Sequence, residues 1–388
     1  MSLKVGIVGL PNVGKSTLFS ALTKNAVDIN NYPFCTIKPN IGVAPVEDER
    51  LDKLHALYPE SKKINAIVEF VDIAGLVKNA HKGEGLGNQF LSNVRNVDVI
   101  LEIVRAFPNE DIEHVEKNVD PQRDIGIIKS ELILSDLSLI EKRKTSLKKE
   151  KRSTSQSGNM ASPFANDRVP AEIEWEILSA FEEKLNREEW LYPRPTPVQN
   201  DRSGEERSFG QALKLPDKLR PYAKEIIRNF SLLTTKPILY VFNVGNILVE
   251  TQDFASLYKK EEYVLIDAKL EKELDEITPE EQKELGLKTQ LDNLVRRSYE
   301  LLGLLTFFTS GDKETRAWEV EKNAKAPTAA GVIHSDFERL FISANVINWQ
   351  TLLKAGAWKK ARELGLIRRE GKEYRMQEGD VVEFMVGK

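Results

Sequence analysis

The chain has 388 residues, 41% hydrophobic and 30% charged, with 56 Lys and Arg nearly balancing 60 Asp and Glu for a net charge of −4. That length exceeds one ordinary core, so two or three domains are expected, and the balanced charge excludes a uniformly basic nucleic-acid binder while leaving local patches open. The single cysteine, Cys35, excludes an internal disulfide framework and a cysteine-rich zinc site, and no leader pattern or membrane-length apolar run is present, so a cytoplasmic protein without a membrane partner is expected.

In chain order, "LKVGIV" (3–8) reads as a strand buried on both faces. The next stretch, "GLPNVGKST" (9–17), matches G-x-x-x-x-G-K-[ST] and opens a helix over 15–24. In that context the amides of Asn12, Val13, Gly14, Lys15, Ser16 and Thr17 would wrap a phosphate chain, aided by the helix dipole. Lys15 would reach the β- and γ-phosphates, and the Ser16 hydroxyl would ligate Mg²⁺. Between this loop and the next strand, "NNYPFCTIKPN" holds Thr36, whose hydroxyl can meet the same metal. The strand "NAIVEFVDI" runs to Asp72, where a further carboxylate for the metal belongs, and Gly75 completes an Asp-x-x-Gly element and is counted with the catalytic residues. The glycines of "HKGEGLGNQF" (81–90) suit a loop that reorders with nucleotide, or a simple flexible connection.

Further strands are predicted in "VDVILEIVRAF" (97–107), "KPILYVFNV" (236–244) and "YVLIDAKL" (263–270), which together suggest a parallel α/β sheet. The interval 128–225 breaks this rhythm. Ile133, Leu137 and Ile140 share one helical face, and Ile173, Ile177, Phe181 and Leu185 recur every fourth residue, so an antiparallel helical hairpin is expected. Its basic run (Lys142, Arg143, Lys144, Lys148, Lys149, Lys151, Arg152) is either a solvated face or a polyanion contact. Beyond 302, "LLTFFTS" and "TRAWEVE" read as paired strands and "GVIHSDFERLFISANVI" brings another. "WQTLLKAGAWKKARELG" reads as one helix, and "EYRMQEGDVVEFMV" as a hairpin around Glu378-Gly379-Asp380. The expected domains are 1–127 with 226–301, 128–225, and 302–388.

The motifs "GLPNVGKSTLFSALT", "NYPFCTIKPN", "VDIAGLVKNAHKGEGLGNQFLSNVRNVDVILEIVRAF" and "KAPTAAGVIHSDFERLFISANVI" closely resemble the YchF / Obg-like ATPase family over almost the whole chain. The resemblance implies an α/β Ras-like P-loop domain, an inserted α-helical hairpin (coiled coil) and a C-terminal α+β β-grasp (TGS) domain. It also implies association with a ribosome or ribosomal RNA rather than DNA, hydrolysis of ATP in preference to GTP, a monomer, and a hydrophobic residue where a water-orienting glutamine is expected; Leu76 stands there.

A guanine reader would show Asn-Lys-x-Asp, whereas this chain has Asn243-Val244-Gly245-Asn246, with Asn246 where the resemblance expects Glu. An asparagine amide both donates and accepts, so it could meet adenine and could also tolerate guanine. With Leu76 unable to hydrogen-bond, three suppliers remain for the hydrolytic water. They are the metal and backbone alone, His114 in a position resembling a family loop histidine, and K⁺ held at Asn12, which resembles the potassium-coordinating asparagine of related enzymes. Arg339, Lys354, Lys359 and Arg362 are candidate RNA-phosphate contacts by charge and helical spacing.

Overall fold

The computed structural model describes residues 3–24, 40–73, 86–109, 111–156, 169–192, 215–245, 262–274, 277–287 and 289–387. The first strand, β1 (Lys4–Val8), is an apolar run, and helix α1 (Lys15–Lys24) opens directly after the glycine-containing loop. β2 (Ile41–Val46) alternates buried and partly exposed residues, as a strand with one covered face does. Helix α2 (Glu49–His55) is capped by Asp48, whose carboxylate accepts from the Arg50 amide. β3 (Lys62–Ile64) and β4 (Ala66–Asp72) follow, separated only by Asn65. After α3 (Leu86–Arg95), β5 (Val99–Arg105) is buried at every position.

A 36-residue helix, α4 (Pro121–Gln156), begins with the proline that suits a first helical turn. It is followed by α5 (Ala171–Asn186) and α6 (Arg220–Phe230). The chain then forms β6 (Ile238–Asn243), β7 (Tyr263–Ile266), α7 (Ala268–Leu274), α8 (Pro279–Glu284) and α9 (Leu291–Leu301). The C-terminal part comprises β8 (Leu304–Ser310), β9 (Glu314–Glu321), α10 (Ala326–Ile333), α11 (Ser335–Arg339), β10 (Phe341–Asn348), α12 (Trp349–Ala355), α13 (Trp358–Glu363), β11 (Arg368–Glu370) and β12 (Asp380–Val386).

Two compact units result: Lys4–Ser16 with Val71–Ala268, and Met1–Leu3 with Thr17–Phe70 and Lys269–Lys388. In the unit containing the glycine loop, β1, β5, β6 and β7 form a parallel array, with Val8 opposite Glu102, Arg105 opposite Asn243 and Asn243 opposite Ile266. The end of β4 reaches β1, where the Ile73 amide donates to the Ile7 carbonyl. The insertion between β5 and β6 is helical, as the periodicity predicts. Ile133, Ile140 and Leu147 recur every seven residues on α4, and they pack with Ile177, Phe181 and Leu185 of α5 and Ile226 of α6. Three of the seven residues of the basic run have partners within the hairpin. Arg143 forks onto Glu174 at 2.7 and 2.8 Å, and Lys144 and Lys148 both lie over the Trp175 ring. Lys142 and Lys149 remain exposed.

In the other unit, β2 neighbours β4, and a second sheet runs β11-β10-β12-β8-β9-β3. Its antiparallel pairs β8–β9 and β10–β12 flank a parallel β12–β8 contact, and α10 packs on one face through Ala326, Ala329 and Ala330 against Phe307, Phe341 and Val346. This is a β-grasp module.

Three details differ from the sequence expectation. The 349–365 helix is two helices, because Gly356 at φ +84° ends α12 in a left-handed cap. No closing hairpin forms around 378–380: β12 enters the middle of the sheet, while Tyr374 Oη and the Gln377 amide both donate to Asp380 Oδ2 and hold the preceding turn. Finally, β3 supplies the edge strand beside β9, with Lys62 opposite Glu314.

Candidate nucleotide site

The loop between β1 and α1 needs its glycines. A Cβ at Gly9 (φ +155°) would lie 2.5 Å from the Ile103 carbonyl, and one at Gly14 (φ +105°) would lie 2.5 Å from Asn243 Nδ2. Asn12 adopts φ 61°, a left-handed conformation that asparagine tolerates, and its Nδ2 donates to the Glu113 carbonyl at 3.2 Å. Val13 is buried beneath the loop. Lys15 is also buried, with Nζ donating to the carbonyls of Gly9 (3.1 Å) and Leu10 (2.7 Å). Burial pushes its ammonium down to about 8, against the pull of the Asp72 carboxylate. The loop thus closes on a buried cation and leads into the N-terminus of the ten-residue α1, an arrangement suited to phosphate.

Ser16 is exposed at the start of α1, followed by the partly exposed Thr17. The Ser16 hydroxyl hydrogen-bonds the Asp72 carboxylate at the end of β4. Burial raises the Asp72 carboxyl above its usual range, while Lys15 and Ser16 oppose that rise. A hydroxyl and a carboxylate are hard oxygen donors that fit Mg²⁺, which takes only one or two protein ligands beside substrate phosphates. Among the described residues no group of three or more His, Cys, Asp or Glu could hold a metal, so an all-protein cage is not formed there.

At the far end of the loop, Asn243 is buried at the end of β6. Its Nδ2 donates to the Val13 carbonyl at 3.0 Å and its Oδ1 accepts from the Ala268 amide at 3.2 Å, so both faces of the amide brace loop backbone. Gly245 (φ +59°) passes directly over Phe107, and Asp267 is buried. Thr36, Gly75, Leu76, Asn246 and Cys35 lie outside the described residues.

His114 is buried in the loop after β5. The Glu116 amide donates to Nδ1 at 3.2 Å, leaving Nε2 to face Asp124 Oδ2 at 2.9 Å in the first turn of α4. Two residues around it escape sequence motifs. Arg105, fully buried at the end of β5, donates to the carbonyls of Phe107 (3.0 Å), Asn109 (3.0 Å) and Ile112 (2.9 Å), shaping the segment that leads to His114. Glu102 is buried on the same strand, and burial together with nearby Asp124 pushes its carboxyl well above the ordinary range. The available signal was a carboxylate and a guanidinium inside the otherwise apolar "VILEIVR".

Comparison with known proteins agrees with this geometry. A family model described as a 50S ribosome-binding GTPase (MMR_HSR1) matches residues 4–134, and YchF-GTPase_C, described as a protein of unknown function (DUF933), matches 304–387. The protein named ribosome-binding ATPase YchF in Bacillus subtilis (strain 168) is 43% identical over 99% of both chains, and those of Mycoplasma genitalium and Escherichia coli O157:H7 are 40% and 39% identical over 98% and 99%. The solved structure of the Schizosaccharomyces pombe YchF GTPase superposes with a TM-score of 0.77 at 34% identity, covering 99% of this chain and 98% of that one. On the loop, the inserted hairpin, the β-grasp module and full-length similarity, the chain belongs to the YchF family of P-loop nucleotide-binding proteins.

Proposed function

We propose that the chain hydrolyses ATP to ADP and phosphate with Mg²⁺ and that its nucleotide state governs binding to the ribosome. The observation that carries this reading is the grouping of the buried Lys15 with the exposed Ser16 and the partly buried Asp72 at a loop whose Gly9 and Gly14 cannot take a side chain. Lys15 Nζ would exchange the Gly9 and Leu10 carbonyls for the β- and γ-phosphate oxygens. The amides of Asn12 to Thr17 would bind the phosphate chain, and Ser16, Asp72 and Thr36 would hold Mg²⁺, which when bound neutralises charge on the β- and γ-oxygens. Gly75 would offer its amide to the γ-phosphate.

With Leu76 in place of a glutamine, the water falls to His114, or to K⁺ held at Asn12, which predicts faster turnover in K⁺ than in Na⁺ at equal ionic strength. Asn243 would brace the base-side loop, and Asn246 would meet the purine edge. The absence of an aspartate from "FNVGN" argues against guanine selectivity, since that group would accept from the guanine N1 and N2 hydrogens. The relatives named ATPase and ribosome-binding support the same reading for this chain, with the ribosome or its RNA as partner; a cytoplasmic monomer completes the proposal. We assign the nucleotide domain to 1–127 and 226–301, the hairpin to 128–225 and the TGS domain to 302–388.

A GTPase of the same fold is the competing reading, favoured by the names of the matching family model and of the fission-yeast structure. Side-by-side affinity and turnover with ATP and GTP, with Mg²⁺ present, separate the two. Tighter binding and faster phosphate release with ATP are expected. A reversed preference would make the chain a GTPase, and binding without release would make it a nucleotide-stabilised scaffold.

A further inference from the structure

His114 is turned onto a buried carboxylate in a way that no motif describes. Its side chain is 2% exposed, and its Nε2 stands 2.9 Å from Asp124 Oδ2, an ion-pair distance. Yet neither atom has an aligned hydrogen bond, and Glu102 Oε1 beside them is likewise buried and unbonded. The other Asp124 oxygen is occupied, accepting from Arg123 Nε at 3.1 Å and Nη2 at 2.9 Å, so Oδ2 is left for His114 alone. The residue before His114 is tied to the phosphate loop through Asn12 and the Glu113 carbonyl. The segment that carries His114 is therefore anchored on the phosphate loop one residue before the imidazole.

A close but misaligned buried pair holds its partner weakly, because each unaligned polar atom has given up water without full return. Burial and the neighbouring Asp124 push the Glu102 carboxyl well above its ordinary range, which lessens the cost of placing the two carboxyl groups side by side. Such a cluster docks His114 without fixing it.

From this arrangement we infer that Asp124, backed by Glu102, is a positioning residue that latches His114 in a withdrawn pose, and that release of this latch limits turnover. The inference rests on the proposed role of His114 in hydrolysis. Asp124→Asn keeps the size of the side chain and removes the charge that faces Nε2. Two readouts follow: steady-state phosphate release, and the rate of diethylpyrocarbonate modification at His114 measured by peptide mass spectrometry. The latch predicts modification about tenfold faster in Asp124→Asn than in the parent. It also predicts turnover raised about threefold with nucleotide KM unchanged, because the competent fraction grows. The gain in turnover should vanish in the double variant with His114→Ala.

If Asp124→Asn does not fold, the parent still tests the idea. His114 should react about tenfold more slowly than the exposed His334, and a non-hydrolysable ATP analogue with Mg²⁺ should narrow that gap. Parental modification and turnover in Asp124→Asn, slower turnover in that variant, or equal reactivity of His114 and His334 in the parent would each overturn the latch. Parental turnover in His114→Ala alone would instead remove His114 from the mechanism and leave the latch without a purpose.

Discussion

Gly14→Ala strikes the phosphate loop where two constraints coincide. The backbone sits at φ +105°, and an added methyl would lie 2.5 Å from Asn243 Nδ2. Left-handed backbone costs an L-residue about 1–2 kcal/mol. The methyl would also push the Asn243 amide off the Val13 carbonyl and the Ala268 amide, and a buried group left unpaired costs about 1–3 kcal/mol. Together these come to about 3 kcal/mol against the loop conformation that faces nucleotide, or about a hundredfold in affinity. The assay is equilibrium titration of a fluorescent ATP analogue with Mg²⁺, alongside thermal melting to show that the domain still folds. Combining Gly14→Ala with Asn243→Ala removes the collision, so the double variant should be better than the sum of the singles by about 1 kcal/mol. Parental affinity in Gly14→Ala, or strict additivity in the double variant, would refute the close approach as the reason for the glycine.

Three further outcomes follow from packing and charge. Asp136, fully buried on α4, accepts from the Leu233 amide and from both the amide and hydroxyl of Thr234, and it faces Arg95 at 3.3 Å. Asp136→Ala should therefore lower stability to urea by about 3–5 kcal/mol, whereas a loss under 1 kcal/mol would show the joint to be dispensable. Phe181→Ala, at a fully buried position in the hairpin core, should cost about 3–5 kcal/mol in the same assay, with ellipticity lost first from the hairpin. Glu319 is held at about 7, raised from 4.5 chiefly by burial. The folded state therefore keeps a proton that the unfolded chain releases, and stability falls as pH rises from about 4.5 to 7 and is level above that. Because the side chain is only partly covered, the drop should be about 1–3 kcal/mol. Glu319→Gln should flatten it, and an unchanged pH slope in that variant would assign the drop elsewhere.

Local chemistry was legible in the sequence, whereas distant pairing was not. The glycine loop, α1 and the strand ending at Asp72 could be read because each rests on neighbours in the chain, and the hairpin could be read because Ile133, Leu137 and Ile140 keep one face. The β-grasp strands β8 and β9 stood out as apolar and β-rich segments, but β3 did not. Three residues carry almost no pattern, and their partner lies some 250 positions away in β9. The break at Gly356 was hidden because helical spacing persists on both sides of it. The motif named Asn243 and the family resemblance named His114, both without their orientations: one amide braces Val13 and Ala268, and one imidazole is turned onto Asp124. Those directions depend on side chains brought together from β5, α4 and α7, which periodicity does not report.

The most direct test of the central claim is phosphate release from ATP with Mg²⁺ by the parent chain and by Lys15→Ala. Slow, saturable, magnesium-dependent release by the parent that disappears in Lys15→Ala is the outcome the phosphate cradle requires. Equal release by both chains, or no magnesium-supported binding of ATP or GTP by the parent, would contradict it.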